Sequence, residues 1–255
     1  MESASDERII AIKLFKTKFV PFANSDRMIS LSSSVGENRM SIKHFAPFRR
    51  LNPLILSATL GILFLSNAPQ ALAHHATGGE TPTNFVEGFL SGLAHPVIGL
   101  DHLAFVIAIG LIAAGQVNGT IIPAGFVLAA LVGTGIHLLN FDLPAAEIAI
   151  ALSVVTFGVM LAIPHKPNWI VLLVVGAIAG LFHGYAYGEA IIGAGMMPLV
   201  AYLLGFSLIQ YAIAMLARAV GNLIIHKTPN KQIMRLCGLA IGAIGIVFLT
   251  NLLFA

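Results

Sequence analysis

Over most of this chain the apolar residues neither alternate nor recur at every third or fourth position; they run on. Six such runs cover residues 84–114, 120–139, 145–164, 169–188, 197–221 and 234–254. The joints between them hold turn formers: Gly115 to Gly119, Asp142 with Pro144, Pro164 to Pro167, Gly193 to Gly195, and Thr228 to Asn230. About 20 apolar residues carry an α-helix across a bilayer, where every backbone donor and acceptor must be satisfied within the segment. The pattern predicts an all-α fold, a polytopic membrane bundle of six transmembrane helices. The first run is too long for a straight crossing. A break is expected there at Pro96 and Gly99, since proline removes a backbone donor and glycine reaches φ values that other residues resist.

Ahead of the bundle the pattern changes twice. Residues 1–39 are mixed polar and charged without a sustained period and read as an extension, not necessarily native. Residues 40–73 have the layout of a cleavable signal peptide: Lys43, Arg49 and Arg50, then an apolar core from Leu51 to Ser66, then Ala71-Leu72-Ala73. Cleavage after Ala73 makes residues 74–255 the six-helix transmembrane domain and His74-His75 its amino terminus.

Composition agrees with a membrane protein, at 57% hydrophobic and 10% charged residues. The net charge of +3 is concentrated upstream, because nine of the fourteen basic residues precede residue 74. The remainder carries no basic surface for nucleic acid. Its five basic residues, Lys166, Arg218, Lys227, Lys231 and Arg235, fall in or beside the joints after spans three and five. The positive-inside rule then places these joints in the cytoplasm and both mature termini outside. The single cysteine, Cys237, excludes an intrachain disulfide and a cysteine metal cage.

Against this background the polar residues inside the spans stand out. An ionisable side chain at the centre of a span costs ~2.5–3.5 kcal/mol on insertion scales, yet His95, Asp101 and His102 lie within HPVIGLDH. Imidazole and carboxylate suit first-row divalent ions. In an unbroken helix His95 and His102 lie ~10 Å apart along the axis, so sharing an ion requires the break. A second cluster ends the fourth span. SGLAHPVIGLD and AGLFHGYAYGE share Gly, Leu and His in register, each with an acid six residues after the histidine, Asp101 and Glu189. Because spans one and four run oppositely, this echo points to a 3+3 inverted repeat, an arrangement that places transport sites on interrupted helices. Glu87 near the outer mouth, His137 at the outer end of span two, and His74 with His75 are further candidate metal residues.

The motifs H-x5-DH (His95, Asp101, His102) and FHG-x-A-x-GE (Phe182 to Glu189) resemble those of the HupE/UreJ family of nickel/cobalt membrane transporters. The resemblance covers roughly residues 74–255. It implies a bacterial plasma-membrane permease with membrane lipids around it, delivering metal to metalloenzyme maturation proteins on the cytoplasmic side. It also makes His95, Asp101, His102, His183 and Glu189 the ion site. Many relatives have histidines where this chain has Tyr185 and Tyr187, so coordination is expected to be sparser here.

The function expected is therefore secondary-type import of Ni²⁺ or Co²⁺, with the ion as substrate, no tightly bound cofactor and no catalytic residues. The chain has no G-x-x-x-x-G-K-[ST] sequence for ATP. The rival readings are an intramembrane zinc-dependent hydrolase, against which the lack of H-E-x-x-H speaks, and a metal-binding accessory subunit that does not transport.

Overall fold

A computed structural model describes residues 81–227 and 232–254. The expected extension, signal peptide, His74 and His75 lie outside the described residues. Those described form seven helices and no strand: α1 Phe85–Ile98, α2 Leu100–Ala113, α3 Ile121–Leu138, α4 Ala146–Ala162, α5 Trp169–Glu189, α6 Met196–Lys227 and α7 Gln232–Phe254.

Four of these, α3, α5, α6 and α7, are long and apolar enough to cross a membrane, and α1 with α2 makes a fifth if the bent pair counts as one span. The difference from the expected six lies in α4, an apolar helix of 17 residues. The first apolar run is divided where α1 ends at Ile98 and α2 begins at Leu100, with a bend of 80°. Pro96 lies inside α1. Gly99, between the helices, has an ordinary φ of −70°, so it does not supply the unusual backbone conformation expected of it. Its reason is space: a Cβ there would lie 2.7 Å from Cδ2 of His102.

Local chemistry fixes the helix starts. The side chain of Asn84 accepts from the backbone N–H of Glu87 at 3.0 Å. The Glu87 carboxylate in turn accepts from the backbone N–H and the hydroxyl of Thr83, both at 2.9 Å. These bonds satisfy orphan donors at the start of α1. Asn168 caps α5 through the N–H of Val171.

The helices pack as three close pairs, α1 with α6, α3 with α5, and α4 with α7, and α2 lies against α6 and α4. Small residues let the backbones meet, as they do where lipid supplies no hydrophobic drive. A Cβ on Gly88 or Gly92 would overlap the carbonyls of Pro198 or Tyr202 on α6, and one on Gly184 would overlap Ala130 on α3. Gly158 on α4 meets the backbone of Gly242 on α7. The joints are tied end to end. Gly115 donates to Asn222 at 2.9 Å and Gln116 to the carbonyl of Pro167 at 3.3 Å. At the other end the hydroxyl of Thr81 donates to the carbonyl of Ile192 at 3.4 Å.

Candidate functional site

The 80° bend turns the start of α2 inward, and the histidines of the two motifs meet in the interior. His102 on α2 and His183 on α5 approach Nδ1 to Nδ1 at 2.8 Å. His183 has no exposed surface, His102 2% and His95 4%. The ring of His95 lies 6.1 Å from that of His102 between centroids.

An aromatic wall surrounds the three imidazoles. Tyr187, one turn beyond His183 on α5, stands 5.1 Å from the ring of His95 and 4.7 Å from that of His102. Tyr202 on α6 lies 6.2 Å from His95 and donates its hydroxyl to the carbonyl of Tyr187 at 2.9 Å. The hydroxyl of Tyr187 donates to Oε1 of Gln210 at 3.3 Å. Gln210 is fully buried, and its Nε2 has no hydrogen-bond partner. On the far side His183 packs against Phe105 at 4.5 Å and Phe126 at 5.8 Å. Its Nε2 meets the hydroxyl of Ser153 on α4 at 3.0 Å. The hydroxyl of Thr134 ties α3 to α5 beside the site, donating to the carbonyl of Gly184 at 2.7 Å.

The remaining candidates divide by position. Asp101 is partly buried, and its Oδ1 accepts the backbone N–H of His102 at 2.9 Å, closing the start of α2. Glu189 is exposed at the last residue of α5. Glu87 is exposed, with its carboxylate engaged by Thr83. His137 is half-buried against Tyr185 at 4.4 Å, and its Nδ1 has no hydrogen-bond partner. The structure thus brings His95, His102 and His183 together and leaves the acids and His137 outside their ring contacts. Among the described residues no group of three or more His, Cys, Asp or Glu side chains is disposed to hold one metal ion. The arrangement is a hydrogen-bonded pair of imidazoles, with a third beside it, in a box of aromatic rings.

Ser153, Tyr202 and Gln210 were not evident from sequence patterning. Each is a polar group in an otherwise apolar run, and that is the signal that marks them. A cavity of about 1020 Å³ lies elsewhere, between α4 and α7, with Lys166 and Arg235 in its lining; it does not include the histidines.

The family model described as HupE / UreJ protein matches residues 62–248, which includes every helix of the histidine cluster. Protein HupE of Rhizobium leguminosarum bv. viciae is 31% identical over 168 residues, spanning 65% of this chain and 86% of that relative. No solved structure matches the chain. The paired histidine segments therefore sit in a multi-pass helical membrane protein, and the chain belongs to the HupE/UreJ family.

Proposed function

We propose that this chain is a six-pass, secondary-type importer of a divalent transition-metal ion, Ni²⁺ or Co²⁺, in a bacterial plasma membrane. The family is related to nickel and cobalt transport and consists of transporters or accessory proteins rather than enzymes. The observation that carries the reading is the contact between His102 and His183, which joins the two acid-and-histidine motifs inside the bundle. Intramembrane ionisable groups are costly and mark ion pathways. His95, Asp101, His102 and His183 form the pathway, with Glu189, Glu87 and His137 toward its outer mouth and His74 with His75 gathering ions ahead of it.

Six crossings are supported by α4, whose 17 residues lie at the short end of the ~17–25 that span a bilayer. The joint hydrogen bonds support the same path. Gly115, Pro167 and Asn222 share one end, and Thr81 and Ile192 share the other. Lys166, Arg218 and Arg235 fall at the first of these ends, which the positive-inside rule assigns to the cytoplasm.

The packing supports a 3+3 inverted repeat. Exchanging spans one, two and three for four, five and six swaps the α1–α6 and α3–α5 pairs and returns α4–α7 to itself. Gly92 and Gly180, each three residues before its motif histidine, press on the carbonyls of Tyr202 and Phe126. Those same two residues reach the rings of His95 and His183, at 6.2 and 5.8 Å.

The deciding experiment is uptake of radiolabelled nickel and cobalt by cells with and without the protein, using His102→Ala as control. Uptake that depends on the protein and is lost in the variant is expected. Uptake indifferent to both overturns the transport reading.

A further inference from the structure

The short contacts around His183 fix where the protons lie. The hydroxyl oxygen of Ser153 is 2.7 Å from the carbonyl oxygen of Ile150 and 3.0 Å from Nε2 of His183. Two oxygens at 2.7 Å need a hydrogen between them, and within this contact only the serine can supply it. Its one proton is thereby used, and toward His183 the hydroxyl is an acceptor. His183 consequently carries its proton on Nε2 and a lone pair on Nδ1. The Nδ1 to Nδ1 contact of 2.8 Å then requires a proton on Nδ1 of His102, and in a neutral ring, which 2% exposure favours, the lone pair of His102 is on Nε2. The reverse chain, with the serine donating to His183, sets two oxygen lone pairs against each other at 2.7 Å. A charged His183 ring would have to be held with no exposed surface between Phe105 and Phe126, at a large desolvation cost.

We infer that Ser153 is a positioning residue: through His183 it sets the tautomer of His102, so that Nε2 of His102 is the nitrogen presented to the ion. In this assignment His183 orients the ligand, and both of its nitrogens are spent in doing so. Partners of this kind fix the tautomer and basicity of a metal-binding imidazole. The tautomer assignment stands on the hydrogen-bond geometry; the meeting of Nε2 with an ion rests on the transport reading above.

The test has two arms on the full-length protein in detergent. The first is ¹⁵N NMR of histidine-labelled, metal-free protein near neutral pH, with His102→Ala and His183→Ala identifying the signals. Expected are an Nε2–H ring at His183 and an Nδ1–H ring at His102, with the His183 signature altered in Ser153→Ala and retained in Ser153→Thr. An Nε2–H tautomer at His102 in the wild type overturns the assignment, whether or not the ion binds here. The second arm titrates Co²⁺ alone. Ser153→Ala should weaken binding by roughly 10–100-fold, the range for partners of metal-bound histidines, and Ser153→Thr should restore it. Binding unchanged in Ser153→Ala but lost in His102→Ala overturns the positioning role. Binding unchanged in His102→Ala overturns the site reading, while the NMR arm still decides the proton placement.

Discussion

His102 and His183 stand 81 positions apart in sequence and 2.8 Å apart in space. Neither ring can be removed without changing what the other is bonded to. The Co²⁺ affinities of His102→Ala, His183→Ala and the double variant should therefore be strongly non-additive, with a coupling of ~0.5–3 kcal/mol. The double variant should be little worse than His102→Ala alone. Full additivity in a titration cycle would mean that the two imidazoles contribute to binding separately.

Gly99 yields a prediction in which stability and binding part company. Its φ of −70° admits alanine, but the added methyl would lie 2.7 Å from the ring of His102. That ring can turn aside more readily than a helix can move. Gly99→Ala should keep a melting temperature close to the wild type and lose Co²⁺ affinity. A large drop in melting temperature with affinity preserved would show that the glycine serves the backbone after all.

Two glycines on the α3–α5 pair should respond oppositely to the same change. A methyl on Gly184 would overlap the backbone of Ala130, whereas Gly135 has nothing within 4 Å. Gly184→Ala should destabilise by ~1–3 kcal/mol, as overpacking does. Gly135→Ala should be neutral or stabilising by up to ~1 kcal/mol, the difference in helix propensity. Thermal unfolding in detergent separates them.

Metal binding should depend on pH in a direction set by the ligand. Imidazole binds an ion through a lone pair that a proton also takes, so binding releases protons and is weakened by acid. The sign follows: affinity is greatest where the ligand histidine is neutral and falls as acid protonates it. Co²⁺ titrations from alkaline to acidic pH, with the chelated sample as baseline, should show a monotonic loss. Saturating metal should also raise the melting temperature by mass action. An affinity that rises with acid would exclude imidazole as the principal ligand.

Much of the bundle was legible in the sequence, and for a simple reason. The cost of an unsatisfied backbone in lipid makes long apolar runs nearly synonymous with helices, so α3 at 121–138 and α7 at 232–254 lie within two residues of their runs. A break was expected near Pro96 and Gly99, and the chain bends by 80° between Ile98 and Leu100, but the role of Gly99 was not legible. Whether a glycine serves conformation or clearance depends on what packs against it, here a ring three residues ahead. Ser153 was hidden for a related cause. A lone serine in a helix ordinarily bonds its own backbone, as this one does with Ile150, and its second contact, 30 positions away, exists only once α4 and α5 are packed. Tyr187 drew notice only through the family resemblance, and the fold gives it a place of its own, its ring beside both His95 and His102.

The glycine seams have a mechanical consequence. Gly88 and Gly92 lock α1 to α6, while Gly133, Gly180 and Gly184 lock α3 to α5, each by interleaving one backbone with the other. Surfaces keyed in this way resist sliding, which favours movement of each pair as a unit. His95 rides on one unit and His183 on the other. A rocking of one pair against the other would change the distance between these histidines without unwinding either helix.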